Sequence, residues 1–310
     1  LTVEQQDARP EWWLQLLDAI SAAQAEGVDM YGQVPPRATG VLMGLTATAS
    51  PFTLNPVFGE IAGLPLAEQV ARMRDPGFRA RVLAQDRVLL GVPLFDEVLY
   101  SFDKMFALGD PANYEPDPQD SIGARARSAG CSPEEVAYDM MLEEDGRALI
   151  YQPLFNYEPG NLDHVKTMLE HPYTVSGLSD GGAHCGMLCD ASFPTTLIQH
   201  WGRDRSRGEQ LPLEQLIAMQ TSRTAQQVGL LDRGVLQPGY RADVNIIDFA
   251  GLTLHPPHVI NDLPAGGRRL VQKASGYEVT LIKGKVAFRE GEPTGELNGR
   301  LIRGAQPAPA

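Results

Sequence analysis

The residues Trp12, Trp13, Leu16, Leu17, Ile20 and Ala23 recur at helical spacing, stop at Gly27, and lead at once into the stretch Val28 to Val34. An amphipathic helix from about Pro10 to Glu26, with proline tolerated at its entry and glycine at its end, thus feeds tightly into a short buried strand. This is the helix-then-strand half of a parallel-sheet repeat, and an α/β chain is expected that opens in mid-architecture. The grammar returns further on. Ser132-Pro133-Glu134-Glu135 spells a capping box with proline at the first helical position, opening a helix to about Glu143. Ala148 to Leu154 reads as a strand, Leu162 to Glu170 as a short helix, and Tyr173 to Leu178 as a strand running into Ser179-Asp180-Gly181-Gly182. A further helix is expected over about Pro212 to Val228, closed by Gly229.

Between these repeats the order weakens. Residues 53–130 carry helical patches at Leu66 to Met73 and Phe78 to Asp86, broken by Asp75-Pro76 and Gly91, and read as an insertion or lid. The apolar stretch around Phe95 to Phe106 suits either a lid over a site or a subunit contact. After Gly229 the pattern changes to short β segments, including Asp243 to Asp248 and a hairpin of Tyr277 to Ile282 and Val286 to Arg289. The expected organisation is one unit over 1–228, a β unit over 229–303 and a fraying tail over 304–310.

Composition narrows the function. A net charge of −13 gives no general attraction to phosphate backbones or anionic lipid faces, so nucleic acid and membrane surfaces are not expected partners. No apolar run approaches the ~20 residues that span a bilayer, and the polar start, Leu1 to Pro10, has no signal-peptide layout, so a cytoplasmic chain is expected. Cys131, Cys185 and Cys189 are too few and too scattered for a disulfide framework, and reduced thiols are the expectation. A first residue that is not methionine suggests a processed chain or a piece of a longer one.

The stretch Ser179-Asp180-Gly181-Gly182-Ala183-His184-Cys185 is where chemistry is expected. A strand that delivers a carboxylate at its C-terminal end, followed by glycines that permit close backbone approach, sits where parallel α/β folds place catalysis. Asp180 could equally cap a turn, and His184 could face substrate or bond a carbonyl. Arg37, just past the first strand, could pair with a substrate carboxylate or serve a surface or supporting role. Cys185, Cys189, His184 and His200 lack the paired spacing of a structural zinc site, and the prolines of His255-Pro256-Pro257-His258 exclude a zincin helix. Phosphate-loop, serine-elbow and His-Glu-x-x-His motifs are absent from the sequence.

Several motifs occur in order: Ser179-Asp180-Gly181-Gly182, the helix from Gln220-Thr221-Ser222 to Gly229-Leu230, Pro238-Gly239-Tyr240-Arg241-Ala242-Asp243, and Ile282-Lys283-Gly284-Lys285-Val286. Together they resemble the C-terminal half of the amidohydrolase superfamily, in particular its N-acyl-D-amino-acid deacylase (D-aminoacylase) branch. The resemblance implies the C-terminal portion of a (β/α)8 metal-dependent hydrolase barrel with a lid-like insertion, plus part of a small β-sandwich. It implies one or two zinc ions at the strand ends and an N-acyl amino acid substrate. Asp180 matches the family's proton shuttle beside the metal: a zinc-activated hydroxide attacks the acyl carbonyl, and Asp180 passes the water's proton to the departing amine. Ser179, Gly181, Gly182, His184 and Arg37 are the substrate-binding residues this reading offers.

The sequence also departs from the family pattern. Its six histidines include no His-x-His, and none precedes His164, so Asp180 is the one metal-site residue that can be placed. Against the family, Val28 to Val34 would be the seventh barrel strand and Tyr173 to Leu178 the eighth, with most metal ligands outside this chain and the isolated chain inactive. Two further readings stand: a cyclic-amide hydrolase of the hydantoinase or dihydropyrimidinase kind, and a non-catalytic interaction protein on the same scaffold. A homo-oligomer is compatible with all three.

Overall fold

A computed structural model of the chain describes residues 1–179 and 184–309. Helix α1 (Trp12–Ala25) buries Trp13, Leu17 and Ile20 and ends at Gly27, whose φ of +82° suits a residue without a Cβ. It leads into β1 (Gly32–Val34), shorter than the apolar stretch because Val28 and Met30 remain exposed. Strand β2 (Thr39–Met43) follows, then α2 (Leu66–Met73), α3 (Pro76–Leu83), α4 (Pro93–Tyr100) and β3 (Phe106–Ala107). Next come α5 (Ile122–Ala129), α6 (Pro133–Met141), β4 (Ile150–Phe155), α7 (Asp163–Glu170) and β5 (Thr174–Ser176).

Strands β1 and β5 pair in parallel, with Gly32 opposite Thr174 and Val34 opposite Ser176. On the other side of β1, Thr2 forms a parallel bridge to Gln33, and the Val3 N–H donates to the Gln33 carbonyl at 2.9 Å. The start of the chain, α1 and β1 therefore form a strand–helix–parallel strand unit. Gly32 makes it possible, because a Cβ there would lie 2.7 Å from Val3 Cγ2. Among the described residues this parallel ladder does not close into a barrel.

The excursion between β1 and β5 is tied to the body by a three-stranded antiparallel sheet ordered β2-β4-β3. Successive strand side chains point to opposite faces, and here both faces are buried. Leu42 and Tyr151 join one core with Trp13, Ile20 and Trp201, whereas Val41, Met43 and Ile150 join a second core with Phe52, Met73 and Tyr138. The strand expected at Ala148 to Leu154 thus exists as β4, but its partners are antiparallel; alternation along the chain reports a strand and not its neighbour.

The capping box forms as expected: Ser132 Oγ accepts from the Glu135 N–H, and the Glu135 carboxylate accepts from the Ser132 N–H. Ser132→Ala is expected to lower stability by about 1 kcal/mol, read as a shifted urea midpoint at constant m-value.

Beyond β5 lie α8 (Phe193–Gln199), a π-helical turn His200–Asp204, α9 (Leu213–Gln220) and α10 (Ser222–Gln227). The single helix expected over about Pro212 to Val228 is broken at Thr221, where φ is −123° and ψ is −91°. Its hydroxyl donates back to the Ile217 carbonyl, a competitor of helix propagation. No helix among the described residues is long and apolar enough to cross a membrane.

The remaining strands are β6 (Val244–Ile247), β7 (Thr253–Leu254), β8 (His258–Leu263), β9 (Gly267–Val271), β10 (Ala274–Ser275), β11 (Tyr277–Ile282), β12 (Lys285–Arg289) and β13 (Glu292–Pro293). They form a four-stranded antiparallel sheet, β13-β12-β11-β6, and the pairs β7–β10 and β8–β9. Lys283 and Gly284, both with positive φ, turn the β11–β12 hairpin. The end of the chain folds back, with Gln306 in a parallel bridge to Leu230.

Candidate functional site at the end of the parallel strand pair

Strand β5 ends at Ser176, and the Gly177 N–H extends the ladder to the Val34 carbonyl at 3.0 Å. Asp180, Gly181 and Gly182 lie outside the described residues. Ser179 is exposed and its hydroxyl donates to the Ala191 carbonyl at 3.0 Å, joining the two ends of the strand-end loop. His184 is exposed, sits at φ +52°, and its carbonyl accepts from the Met187 and Leu188 N–H groups.

The following residues are stitched to their surroundings through their carbonyls. Cys185 accepts from the Leu270 N–H at 2.7 Å, Gly186 from Thr48 at 3.0 Å and Met187 from Leu42 at 2.7 Å. Gly186 lies against Thr48 so closely that a Cβ would fall 2.1 Å from its Oγ1. A recess of about 190 Å³ opens at the strand ends, lined by Pro36, Ser176, Gly177, Ser179, Phe193 and Gln220 among others.

Arg37 is not a surface residue. Its side chain is 2% exposed and lies 3.2 Å from the Asp190 carboxylate, itself 6% exposed. It donates to the carbonyls of Ala38 at 3.1 Å and Cys189 at 3.0 Å. The guanidinium also stacks on two rings, 3.8 Å from the Tyr114 centroid and 4.5 Å from that of Phe193. So many fixed partners offset the cost of removing a charge from water.

A second constellation, unforeseen in the sequence, borders a cavity of about 380 Å³ lined by Arg37, Tyr114, Glu115, Thr196, His200 and Arg207 among others. Buried Glu115 receives Arg205 through both oxygens, at 3.1 and 3.0 Å, as well as the Leu162 N–H at 2.8 Å and His200 Nε2 at 3.0 Å. Burial pushes the Glu115 carboxyl up, but the hydrogen bonds from His200, Arg205 and Leu162 outweigh it and hold the group down at about 2. An ionised carboxylate can only accept, so Nε2 of His200 carries the proton in this contact, and in the neutral ring Nδ1 is left as the basic nitrogen. Arg205 is completed by Asp163 at 2.7 Å and by stacking on Trp201 at 4.6 Å. This arrangement joins α7, the 113–117 segment and the π-helical turn. Its chemistry is that of a carboxylate-oriented imidazole on a cavity wall.

Among the described residues no three His, Cys, Asp or Glu side chains come together in a way that could hold an ion. His255 Nε2 is engaged with the Ser275 hydroxyl at 3.0 Å, and Cys189 is buried with its thiol pushed up to about 11 by burial.

With this geometry in hand, the family profile described as "Amidohydrolase family" matches residues 6–288. The chain belongs to the amidohydrolase family. No curated protein matches it. Among solved structures, a crystal structure of D-aminoacylase is similar at 21% identity and a TM-score of 0.43, over 91% of this chain and 44% of that one. A second D-aminoacylase structure, concerned with the functional role of its binuclear metal centre, is similar at 19% identity and 0.42, over 91% and 44%. The N-acyl-D-glutamate deacylase of Bordetella bronchiseptica, complexed with zinc and a phosphonate inhibitor, is similar at 18% identity and 0.40, over 93% and 47%. The chain spans less than half the length of each of these structures.

Proposed function

We propose that this chain forms part of a metal-dependent amide hydrolase acting on N-acyl-D-amino acids, with Asp180 as the group that moves the proton. What supports this reading above all is the family match together with the parallel pair β1–β5, whose C-terminal end runs into Ser179 and Asp180. A carboxylate at that end can accept the proton of an attacking water and return it to the amine that leaves. Exposed Ser179 and His184 flank Asp180 in the sequence and are available to meet the substrate, and Gly181 and Gly182 are proposed alongside them. Arg37, committed to Asp190 and the Cys189 carbonyl, supports the loop instead.

The metal donors are proposed to come chiefly from residues other than those described, because no cluster of three donors exists among them. The cation is zinc on this reading, and the chain supplies the proton-handling side of the site. The test is a substrate panel, with zinc supplied, on a polypeptide that contains this region together with further metal donors. N-acyl-D-amino acids are expected to be cleaved at least tenfold faster than hydantoins or dihydropyrimidines. Preference for the cyclic amides would overturn the substrate assignment, and zinc-replete protein inert to every amide would overturn the catalytic one.

A further inference from the structure

We infer that Arg37 is a positioning residue that fixes residues 184–192, the described stretch between the end of β5 and α8; the importance of that stretch rests on the function proposed above. β5 ends at Ser176, and the described stretch that follows Ser179 resumes at His184 and rejoins regular structure at Phe193, the first residue of α8. Arg37 lies three residues beyond the end of β1 and grips the far end of this stretch, through the Cys189 carbonyl at 3.0 Å and the Asp190 carboxylate at 3.2 Å. Ser179 is closed onto the same stretch by its hydroxyl and the Ala191 carbonyl. The backbone carrying Arg37 is itself fixed, because the fully buried Trp201 donates its indole N–H to the Pro36 carbonyl at 2.6 Å.

One guanidinium therefore ties the segment just after β1 to the stretch that precedes α8. Its planar fork serves the Ala38 carbonyl through Nη1 and the Cys189 carbonyl and Ser192 hydroxyl through Nη2, while its faces pack on Tyr114 and Phe193. A lysine keeps the charge but can supply neither the fork nor the stack, so the link depends on arginine specifically.

Three amides outside that stretch report its position, since Leu42, Thr48 and Leu270 donate to the carbonyls of Met187, Gly186 and Cys185. Their hydrogen exchange can be followed in Arg37→Lys without substrate or metal, so the outcome is independent of the deacylation panel. Exchange at Thr48 and Leu270 is expected to quicken at least tenfold, while amides of the β11–β12 ladder stay within twofold. Uniform acceleration would reduce Arg37 to a general stabiliser, and unchanged exchange would remove its role; either overturns the inference. Should Arg37→Lys fail to fold, Tyr114→Leu keeps the ion pair and removes one face of the stack. It is expected to loosen the same amides to a smaller extent, and unchanged or uniform exchange in that variant would overturn the inference equally.

Discussion

Replacing Asp180 by Asn in the zinc-loaded enzyme is expected to lower amide turnover by about 10²–10⁴-fold, the usual contribution of a general acid–base group. Asparagine keeps the shape and much of the hydrogen bonding but has no basic oxygen to receive the proton of the attacking water. On the proposed mechanism the same substitution leaves the leaving amine without its donor, so kcat and kcat/KM should fall together. A profile of kcat/KM against pH adds a readout that misfolding cannot imitate. The acid limb that reports an essential base should be present in the wild-type enzyme and vanish from the residual activity of Asp180→Asn. An acid limb unchanged in the variant would assign the proton transfer elsewhere, and the His200–Glu115 pair would be the next group to test.

Glu115→Ala is expected to destabilise the fold by about 3–5 kcal/mol, because it leaves the buried Arg205 guanidinium without its two-point partner. Asp163 still faces Arg205 but is largely exposed and cannot replace it. The pH dependence has a definite sign. Glu115 is held at about 2 in the fold, below its ordinary value of 4.5. Its contribution is therefore complete above about pH 4.5 and drains away as the pH falls toward 2. That contribution is on the order of 3 kcal/mol. Urea unfolding at pH 7 and near pH 3 should show wild-type stability declining steeply across this window. Glu115→Gln should start lower and decline less. Parallel declines in the two proteins would show that other carboxylates govern acid unfolding.

How much of this could be read from the sequence depends on the range of the interaction. The α6 capping box is complete within Ser132 to Glu135, and the β11–β12 hairpin is announced by Lys283-Gly284; both are local and both form. The strand pair at the candidate site was legible because each strand carries its own apolar pattern and a Gly or Pro stop. The Glu115 network was not, since His200 and Arg205 lie 85 and 90 residues away from Glu115 in segments with no periodicity. Arg37 shows the same limit. A lone arginine after a strand is consistent with a substrate clamp, and only the arrival of Asp190, Tyr114 and Phe193 reveals what it holds. The two-faced burial of the β2-β4-β3 sheet was likewise hidden, because an apolar run states that a strand is covered and not by what.

The proposed function holds that this chain carries the proton-moving side of an amidohydrolase site, with no three metal donors together among its described residues. It is tested most directly by measuring zinc-dependent hydrolysis of N-acyl-D-amino acids with the 310-residue chain alone, beside a longer polypeptide that joins it to further His and carboxylate donors. Turnover is expected from the longer polypeptide only, and should be lost from it on Asp180→Asn. Turnover by the 310-residue chain alone, or turnover by the longer polypeptide that survives loss of Asp180, would contradict the claim.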